Sequence, residues 1–507
     1  MSQALDIIQD PTLTYHQEVL ALARLGESTD NTLTYSDAYY EAKAKGILCD
    51  LNEGPMPYRP RYICPDYSVL FKNGSPFLEL EAPKDLMEAT TALMILYSHV
   101  PSITAYPVYL GDLDTLLEPF VLKEDREFAK KVLKLFLLQI DKQLTDSFVH
   151  ADIGPKDTVT GRLLLELTEE MQLAVPNLTL KYDPELTSDE FATLCIKCML
   201  KTAKPSFCNH KMFTKEWGND YAIASCYNGL KQAGGGYTLP RLRLYECSLE
   251  AKDVDDFLDN VLPKYVDLQL EYMDKRVKFI VEESTFFKHN FLTTEGFVKQ
   301  ENFTGMFGMV GLAECVNHLL KIDDPKKGFG LNEEATELGI RIMNRLEELV
   351  SAHEAPYCEA FDHKYRLHAQ VGIDSDGMEN SPGTRIPIGC EPTMLEQLQV
   401  NEKFHPYFPT GTGDIFKFEE TYEKTPESIL PIIKGSLSKG LRYFSGYLES
   451  CDVVRVTGYL VKKSEIEKLN QKKQSLNNVT IFGKGAQDGG HALDRRIQHH
   501  EEDSANK

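Results

Sequence analysis

No uninterrupted apolar run in the chain approaches the length that crosses a bilayer. The opening stretch, MSQALDIIQDPTLTY, has neither the basic n-region nor the apolar h-region of a secretory signal. A cytoplasmic protein is expected, with no membrane partner. Positive charge is scarce: 55 Lys and Arg stand against 77 Asp and Glu, for a formal net charge of −22 and a pI near 5.1. That balance argues against nucleic acid and anionic membranes as partners, since either needs a net basic face. The sequence has no Walker loop, Rossmann fingerprint or His-Glu-x-x-His, which weakens the nucleotide-hydrolase, dehydrogenase and zincin readings. It also lacks a disulfide framework. Eleven cysteines, an odd number without regular spacing, fit reduced thiols in a reducing compartment. One group, Cys195, Cys198, Cys208 and His210, has ligand-like types, but Phe191, Leu194, Cys195, Cys198 and Met199 fit one helical face with Ser188 as N-cap, so no metal site is expected.

What remains is ordinary globular material: 507 residues, 42% hydrophobic and 26% charged, enough for a large core. EFAKKVLKLFLLQIDKQL (127–144) and ATELGIRIMNRLEELVSA (335–352) carry the spacing of amphipathic helices. YPVYL, RLRLYE and FIVEES look like strands bounded by Gly, Pro and Asp. The alternation predicts an α/β architecture with a helical N-terminal portion. No Gly/Ser-rich or Pro-rich linker divides the chain, so one domain, 1–507, is expected, ending in the polar tail HHEEDSANK.

Near the C-terminus, VVRVTGYLVKK (453–463) would make a buried strand were it not for Gly458, which packs nothing and weakens the strand it interrupts. The near-duplicate RYFSGYL (442–448) lies just before it, and both read as Arg followed by a Gly-Tyr-Leu turn. A bulge or strand corner is the ordinary reason for such a glycine. However, RVTGYL resembles the C-terminal signature of glycyl radical enzymes, Arg-Val-x-Gly-Tyr, whose glycine stores a radical. Four fixed residue types meet by accident in a chain this long roughly once in a few hundred sequences. A Cα radical is stabilised when it is planar and conjugated with both flanking peptide groups, and a residue without Cβ can flatten and be approached closely.

The resemblance implies a partner cysteine on a loop tip, which gives its hydrogen to the glycyl radical and attacks substrate as a thiyl. Cys315, in GMFGMVGLAECVNHLL, shares a helical stripe with Leu312, Val316 and Leu319 and reads as a small buried hydrophobe. Cys226, in DYAIASCYNGLKQAGGGYTLPRLRL, ends a small apolar run, with Asn228-Gly229 and Gly234-Gly235-Gly236 read as turn chemistry before the next strand. The family fold implied is pyruvate formate-lyase-like, a ten-stranded α/β barrel of two five-stranded halves threaded by the cysteine loop. Half such a barrel needs about 200 residues between cysteine and glycine, which Cys226 leaves and Cys315 does not. The stretch after Cys226 is similar to the glycine-rich segment and Thr-Leu-x-Leu-Pro-Arg strand of anaerobic ribonucleotide reductases, and MFGMVGLAEC to their later Gly-x-x-Gly-x-x-Glu, which points to Glu314. With SITAYPVYLGDLDTLLEPF (102–120) and LTDSFVHADIGP (144–155), the whole chain most resembles the YjjI-type glycyl radical proteins.

The resemblance therefore implies an oxygen-sensitive enzyme with Gly458 as radical store, Cys226 as thiyl and Glu314 as a candidate base, acting on a small-molecule substrate. The radical segment, 441–507, would be activated by a radical S-adenosylmethionine enzyme carrying an iron-sulfur cluster. No bound cofactor is expected, and a homodimer fits the family habit. Departures limit the reaction class. Only Cys451 stands where the reductases keep paired cysteines, and one thiolate cannot replace a four-thiolate zinc site. Asn228 occupies the place of a catalytic glutamate two residues after the cysteine, and a carboxamide takes no proton. A ribonucleotide reductase-like enzyme and a catalytically inactive barrel kept for binding or assembly are the alternatives.

Overall fold

A computed structural model describes residues 3–369, 380–456 and 458–476. The polar tail and Thr457 lie outside the described residues. The N-terminal portion is helical, with helices Gln3–Ile8, Tyr15–Glu27 and Asp37–Ala44. Strands are numbered β1 to β16 in chain order.

Two sheets dominate. The first holds β3 (His150–Ile153), β4 (Asn177–Tyr182), β5 (Ser206–Asn209), β13 (Asp414–Phe418) and β14 (Tyr443–Leu448), in the spatial order β13-β14-β5-β4-β3. Within it β3, β4 and β5 run parallel, β13 and β14 run parallel, and the two groups meet antiparallel where Tyr443 faces Cys208 and Phe444 faces Phe207. The second sheet, in the order β1-β9-β11-β12, joins β1 (Leu48–Cys49), β9 (Arg241–Arg243), β11 (Met306–Val310) and β12 (Arg366–Ala369). Parallel neighbours need crossover connections, and helices supply them: Val159–Met171 between β3 and β4, Asp189–Thr202 between β4 and β5, and Glu333–Ala352 between β11 and β12. The architecture is α/β, as expected. Among the described residues neither sheet closes on itself.

Periodicity located the long helices well. The two predicted spans became Arg126–Gln143 and Glu333–Ala352. Ser188 caps the helix Asp189–Thr202 by accepting the Phe191 amide at 3.2 Å, and Phe191, Cys195, Cys198 and Met199 form its buried face. The short strand readings fared worse. FIVEES is a π-helical turn, Phe279–Glu283, continuing the helix Leu262–Lys278, because a short apolar run fits a buried helix as well as a strand. RLRLYE is strand only through Arg243 and then becomes the helix Leu244–Ser248. YPVYL is irregular backbone that lies along β3, its Leu110 amide donating to the His150 carbonyl at 2.7 Å.

The glycines also needed correction. Gly234–Gly236 form a strand, β8, between β2 (Tyr62–Cys64) and β10 (Phe303–Thr304). A Cβ on Gly235 would overlap the Tyr62 carbonyl and one on Gly234 the Asn302 carbonyl, so close backbone approach, rather than turning, requires glycine there. RYFSGYL contains no turn: residues 443–448 are β14, with Phe418 packed where a Gly446 side chain would stand.

Candidate active site

Residues 453–462 do not form one strand. They fold into a hairpin of β15 (Val453–Val456) and β16 (Tyr459–Lys462), whose register pairs Val456 with Tyr459 and puts Gly458 in the two-residue connection. Glycine belongs to such tight hairpin turns, which gives it a place at the tip rather than inside a strand. Gly458 is buried. The hairpin forms a separate two-stranded sheet, bonded to neither of the large ones as a strand.

Cys226 lies on a second hairpin. β6 (Tyr221–Ala224) and β7 (Asn228–Lys231) are antiparallel, Ala224 faces Asn228, and Ser225-Cys226-Tyr227 form the connection. Ser225 takes the left-handed conformation, φ 60°, common where three-residue loops close a hairpin. Asn228 and Gly229 are therefore ladder residues, not turn residues. The tip is gripped from both sheets. On one side the Ser225 carbonyl meets His150 Nδ1 at 2.8 Å and the Cys226 carbonyl accepts from the Tyr443 hydroxyl at 3.1 Å. On the other the Tyr227 hydroxyl donates to the Ala369 carbonyl of β12 at 2.9 Å, its ring stacked against His368.

A row of buried polar groups lies behind the tip. His150 Nε2 lies 2.8 Å from Thr179 Oγ1, which lies 2.8 Å from the Tyr443 hydroxyl. Burial drives the His150 pKa down to about 3, so the ring is neutral. A neutral imidazole has one N–H, and Nδ1 faces both an acceptor, the Ser225 carbonyl at 2.8 Å, and a donor, Asn177 Nδ2 at 3.1 Å.

The two hairpins meet through Arg455, a fully buried arginine three residues before Gly458. Its Nη1 donates to the Gly458 carbonyl at 3.0 Å; its Nη2 donates to Asn177 Oδ1 at 2.9 Å and to the Ala203 carbonyl at 3.2 Å. Asn177 Nδ2 in turn reaches the Ser225 carbonyl at 3.5 Å. Two side chains thus connect the Gly458 peptide with the peptide next to Cys226. The thiol donates to Asn228 Oδ1 at 3.2 Å. Burial pushes its pKa up to about 11; the neighbouring Arg455 and Arg385 favour the thiolate but do not overcome desolvation. At neutral pH the sulfur keeps its hydrogen, which suits hydrogen-atom transfer and opposes ionic attack.

Glu314 stands outside this network. It occupies the first turn of the helix Leu312–Leu319, accepts from the Ser381 hydroxyl at 2.5 Å, and is raised above the usual carboxylate range by burial. No hydrogen bond joins it to either hairpin among the described residues. Cys315 packs on the buried face of that same helix, as expected, and is pushed upward by burial. Cys198 donates to the Leu165 carbonyl, while Cys208 and His210 both meet the Tyr221 hydroxyl. Cys451 donates to the Leu200 carbonyl at 2.9 Å. Sequence reading missed His150, Asn177, Thr179 and Tyr443. Arg455 alone carried a signal, as the first residue of the Arg-Val-x-Gly-Tyr motif.

A family model described as "Glycyl radical enzyme YjjI-like" matches residues 13–498. The chain belongs to the YjjI-like glycyl radical enzyme family. Escherichia coli YjjI is 39% identical over 505 residues, covering 98% of this chain and 96% of its own. A Haemophilus influenzae protein is 45% identical over 503 residues, with 98% of both chains covered. Among solved structures, the fold is similar to the B12-independent glycerol dehydratase of Clostridium butyricum (TM-score 0.70, 11% identity, 95% of this chain and 83% of that one). It is also similar to the Thermotoga maritima anaerobic ribonucleotide reductase (TM-score 0.68, 14% identity, 91% of each). At such identities these two likenesses speak for the fold alone. Among the described residues of this YjjI-like chain, no helix is long and apolar enough to cross a membrane, and no group of three or more His, Cys, Asp or Glu side chains could hold a metal ion.

Proposed function

We propose that this chain is an oxygen-sensitive radical enzyme that stores an unpaired electron on Gly458 and uses Cys226 to abstract hydrogen from a small-molecule substrate. The observation that carries the reading is the buried hydrogen-bonded connection from the Gly458 carbonyl through Arg455 and Asn177 to the Ser225 carbonyl. In the proposed cycle the Gly458 Cα radical takes the hydrogen of the Cys226 thiol, forming a Cα–H bond and a sulfur radical. That radical takes a substrate hydrogen, leaving a carbon radical to rearrange or fragment. The product radical recovers hydrogen from Cys226, and the sulfur then recovers its own from Gly458. Electrons and hydrogens balance without a bound cofactor. The nine strands of the two large sheets support a barrel of two halves for this chemistry: five of them, β9, β11, β12, β13 and β14, come from between Cys226 and Gly458.

Activation would come from a separate radical S-adenosylmethionine enzyme that removes hydrogen from Gly458. The buried glycine must then leave its pocket. Because β15 and β16 bond to neither large sheet as strands, the hairpin can swing out without opening a ladder. Glu314, raised above the usual carboxylate range by burial, would serve as a base if a substrate reaches it. The Asn228 amide, already accepting from the thiol, is a poor base, which opposes dehydration through that position.

The test is anaerobic electron paramagnetic resonance after incubation with an activating enzyme. A glycine-centred doublet is expected, absent in Gly458→Ala. In D2O the doublet should collapse in the native chain, because the deuterated Cys226 thiol exchanges with Gly458, and should persist in Cys226→Ser. Failure to form any radical with an activating enzyme proven on its own substrate would favour the inactive scaffold. A doublet that collapses equally in Cys226→Ser would remove Cys226 from the mechanism.

A further inference from the structure

A cavity of about 980 Å³ lies between the N-terminal helix Tyr15–Glu27, the segment 50–59, the residues after the helix Leu86–Tyr97, and the region 285–290. No residue of the cysteine hairpin or of β15–β16 lines it. Its volume falls at the upper end of small-molecule sites. Leu20, Ala21, Met56, Pro101 and Phe286 give it apolar walls.

Its charges are unevenly matched. Asp50 pairs with Lys43 at 2.7 Å. Glu53 pairs with Arg61 at 3.2 Å and with Arg276 at 2.8 Å. Glu27 accepts from Arg24 at 3.0 Å and from the Tyr58 hydroxyl at 2.7 Å. Every carboxylate in the wall is compensated. Arg59 is not: its Nε donates to the Ser102 carbonyl at 2.8 Å, its guanidinium rests 4.3 Å from the Tyr58 ring centroid, and no carboxylate pairs with it among the described residues. Burial and the neighbouring Arg24 draw its pKa down to about 10, which leaves it charged at neutral pH. A half-buried guanidinium anchored at one nitrogen, with Glu27 near it but hydrogen-bonded to Arg24 and Tyr58 instead, is an unfinished site, because Arg is built to hold carboxylate or phosphate by two parallel bonds.

We propose that this cavity binds a small organic anion, a carboxylate or phosphate ester on an apolar body, with Arg59 holding the anionic end. The site is independent of the radical chemistry above and exists in the unactivated chain. Its wall is close in structure to the thiol: Glu53 holds Arg61, whose guanidinium lies 5.2 Å from the Tyr62 ring centroid, and Tyr62 faces Cys226 and Asn228.

The test uses 8-anilinonaphthalene-1-sulfonate, an aromatic anion, as fluorescent probe on the purified full chain, with phenyl phosphate, benzoate, benzyl alcohol and benzylamine as competitors. Saturable probe binding is expected, displaced by phenyl phosphate or benzoate and not by the alcohol or the amine. Displacement by phenyl phosphate alone assigns a phosphate ester, and by benzoate alone a carboxylate. Arg59→Gln should weaken probe binding about tenfold or more, the scale of a lost charge-assisted bond. Ala21→Phe, which places a ring in the cavity from the helix, should weaken it too. Wild-type affinity in both variants, or equal displacement by benzyl alcohol, overturns the proposal. A urea midpoint measured on each variant separates loss of the site from loss of the fold.

Discussion

Arg455→Met should release the glycine hairpin while leaving the rest of the fold intact. The buried guanidinium satisfies three acceptors, the Gly458 carbonyl, Asn177 Oδ1 and the Ala203 carbonyl, at 3.0, 2.9 and 3.2 Å. Asn177 Oδ1 keeps the Leu178 amide at 3.0 Å, so two carbonyls lose their partner; a buried polar group left alone costs about 1–3 kcal/mol, and two amount to about 2–6 kcal/mol. Removing a buried charge returns several kcal/mol of desolvation, which places the net loss in the lower half, about 3 kcal/mol. The hairpin has no strand bonds to the large sheets and can open on its own, so the loss should appear as local opening. At 1.36 kcal/mol per decade this is about two decades in the opening equilibrium. Native-state hydrogen exchange read by mass spectrometry measures it directly. Peptides covering β15 and β16 should exchange about a hundredfold faster than in the wild type, while those covering β4 and β14 keep their rates. If the hairpin stays as slow as in the wild type, Arg455 does not hold it; if β4 and β14 accelerate equally, the hairpin is not an independent unit.

Other expectations follow from the same geometry. With its pKa near 11, Cys226 should be about one part in a thousand thiolate at pH 8; iodoacetamide labelling mapped by mass spectrometry should be slow there and quicken toward pH 11, and rapid labelling at pH 7 in the native chain would contradict the burial argument. His150 is neutral when folded, with a pKa near 3, but protonates near 6.5 when unfolded. The unfolded state therefore binds the proton first, and stability falls as pH drops through that window, by about 2.3 kcal/mol between pH 6.5 and 4.5; urea titrations should show this component vanish in His150→Gln. Glu53→Gln leaves Arg61 and Arg276 buried without their shared carboxylate, and should cost about 3–5 kcal/mol in urea unfolding; a change below about 1 kcal/mol would mean that water or another group compensates both guanidiniums.

The family was legible because its motif is written locally. Arg455 to Tyr459 is contiguous, and Cys226 sits between runs whose periodicity changes. The long helices were legible for the same reason. What sequence could not supply was mutual placement. Tyr443 reaches the Cys226 carbonyl, and Arg455 reaches Asn177, across hundreds of residues, and nothing in their neighbours' spacing announces such pairs. Short apolar runs misled because FIVEES contains too few residues to distinguish period two from period 3.6. Gly458 was placed within one strand because the apolar residues on either side of it read as a single buried run, although the register of Val456 with Tyr459 reverses the chain there.

The first large sheet has a temporal consequence. Its strands β3, β4 and β5 are made early, but their antiparallel neighbour β14 begins only at Tyr443. A ribosome releases the chain from its N-terminus, so the hydroxyl that holds the Cys226 peptide arrives long after the cysteine itself. During synthesis the thiol waits in an unfinished enclosure until β14 and then the Gly458 hairpin emerge. The enclosure of the Cys226 tip is thus completed late in synthesis, together with the β15–β16 hairpin.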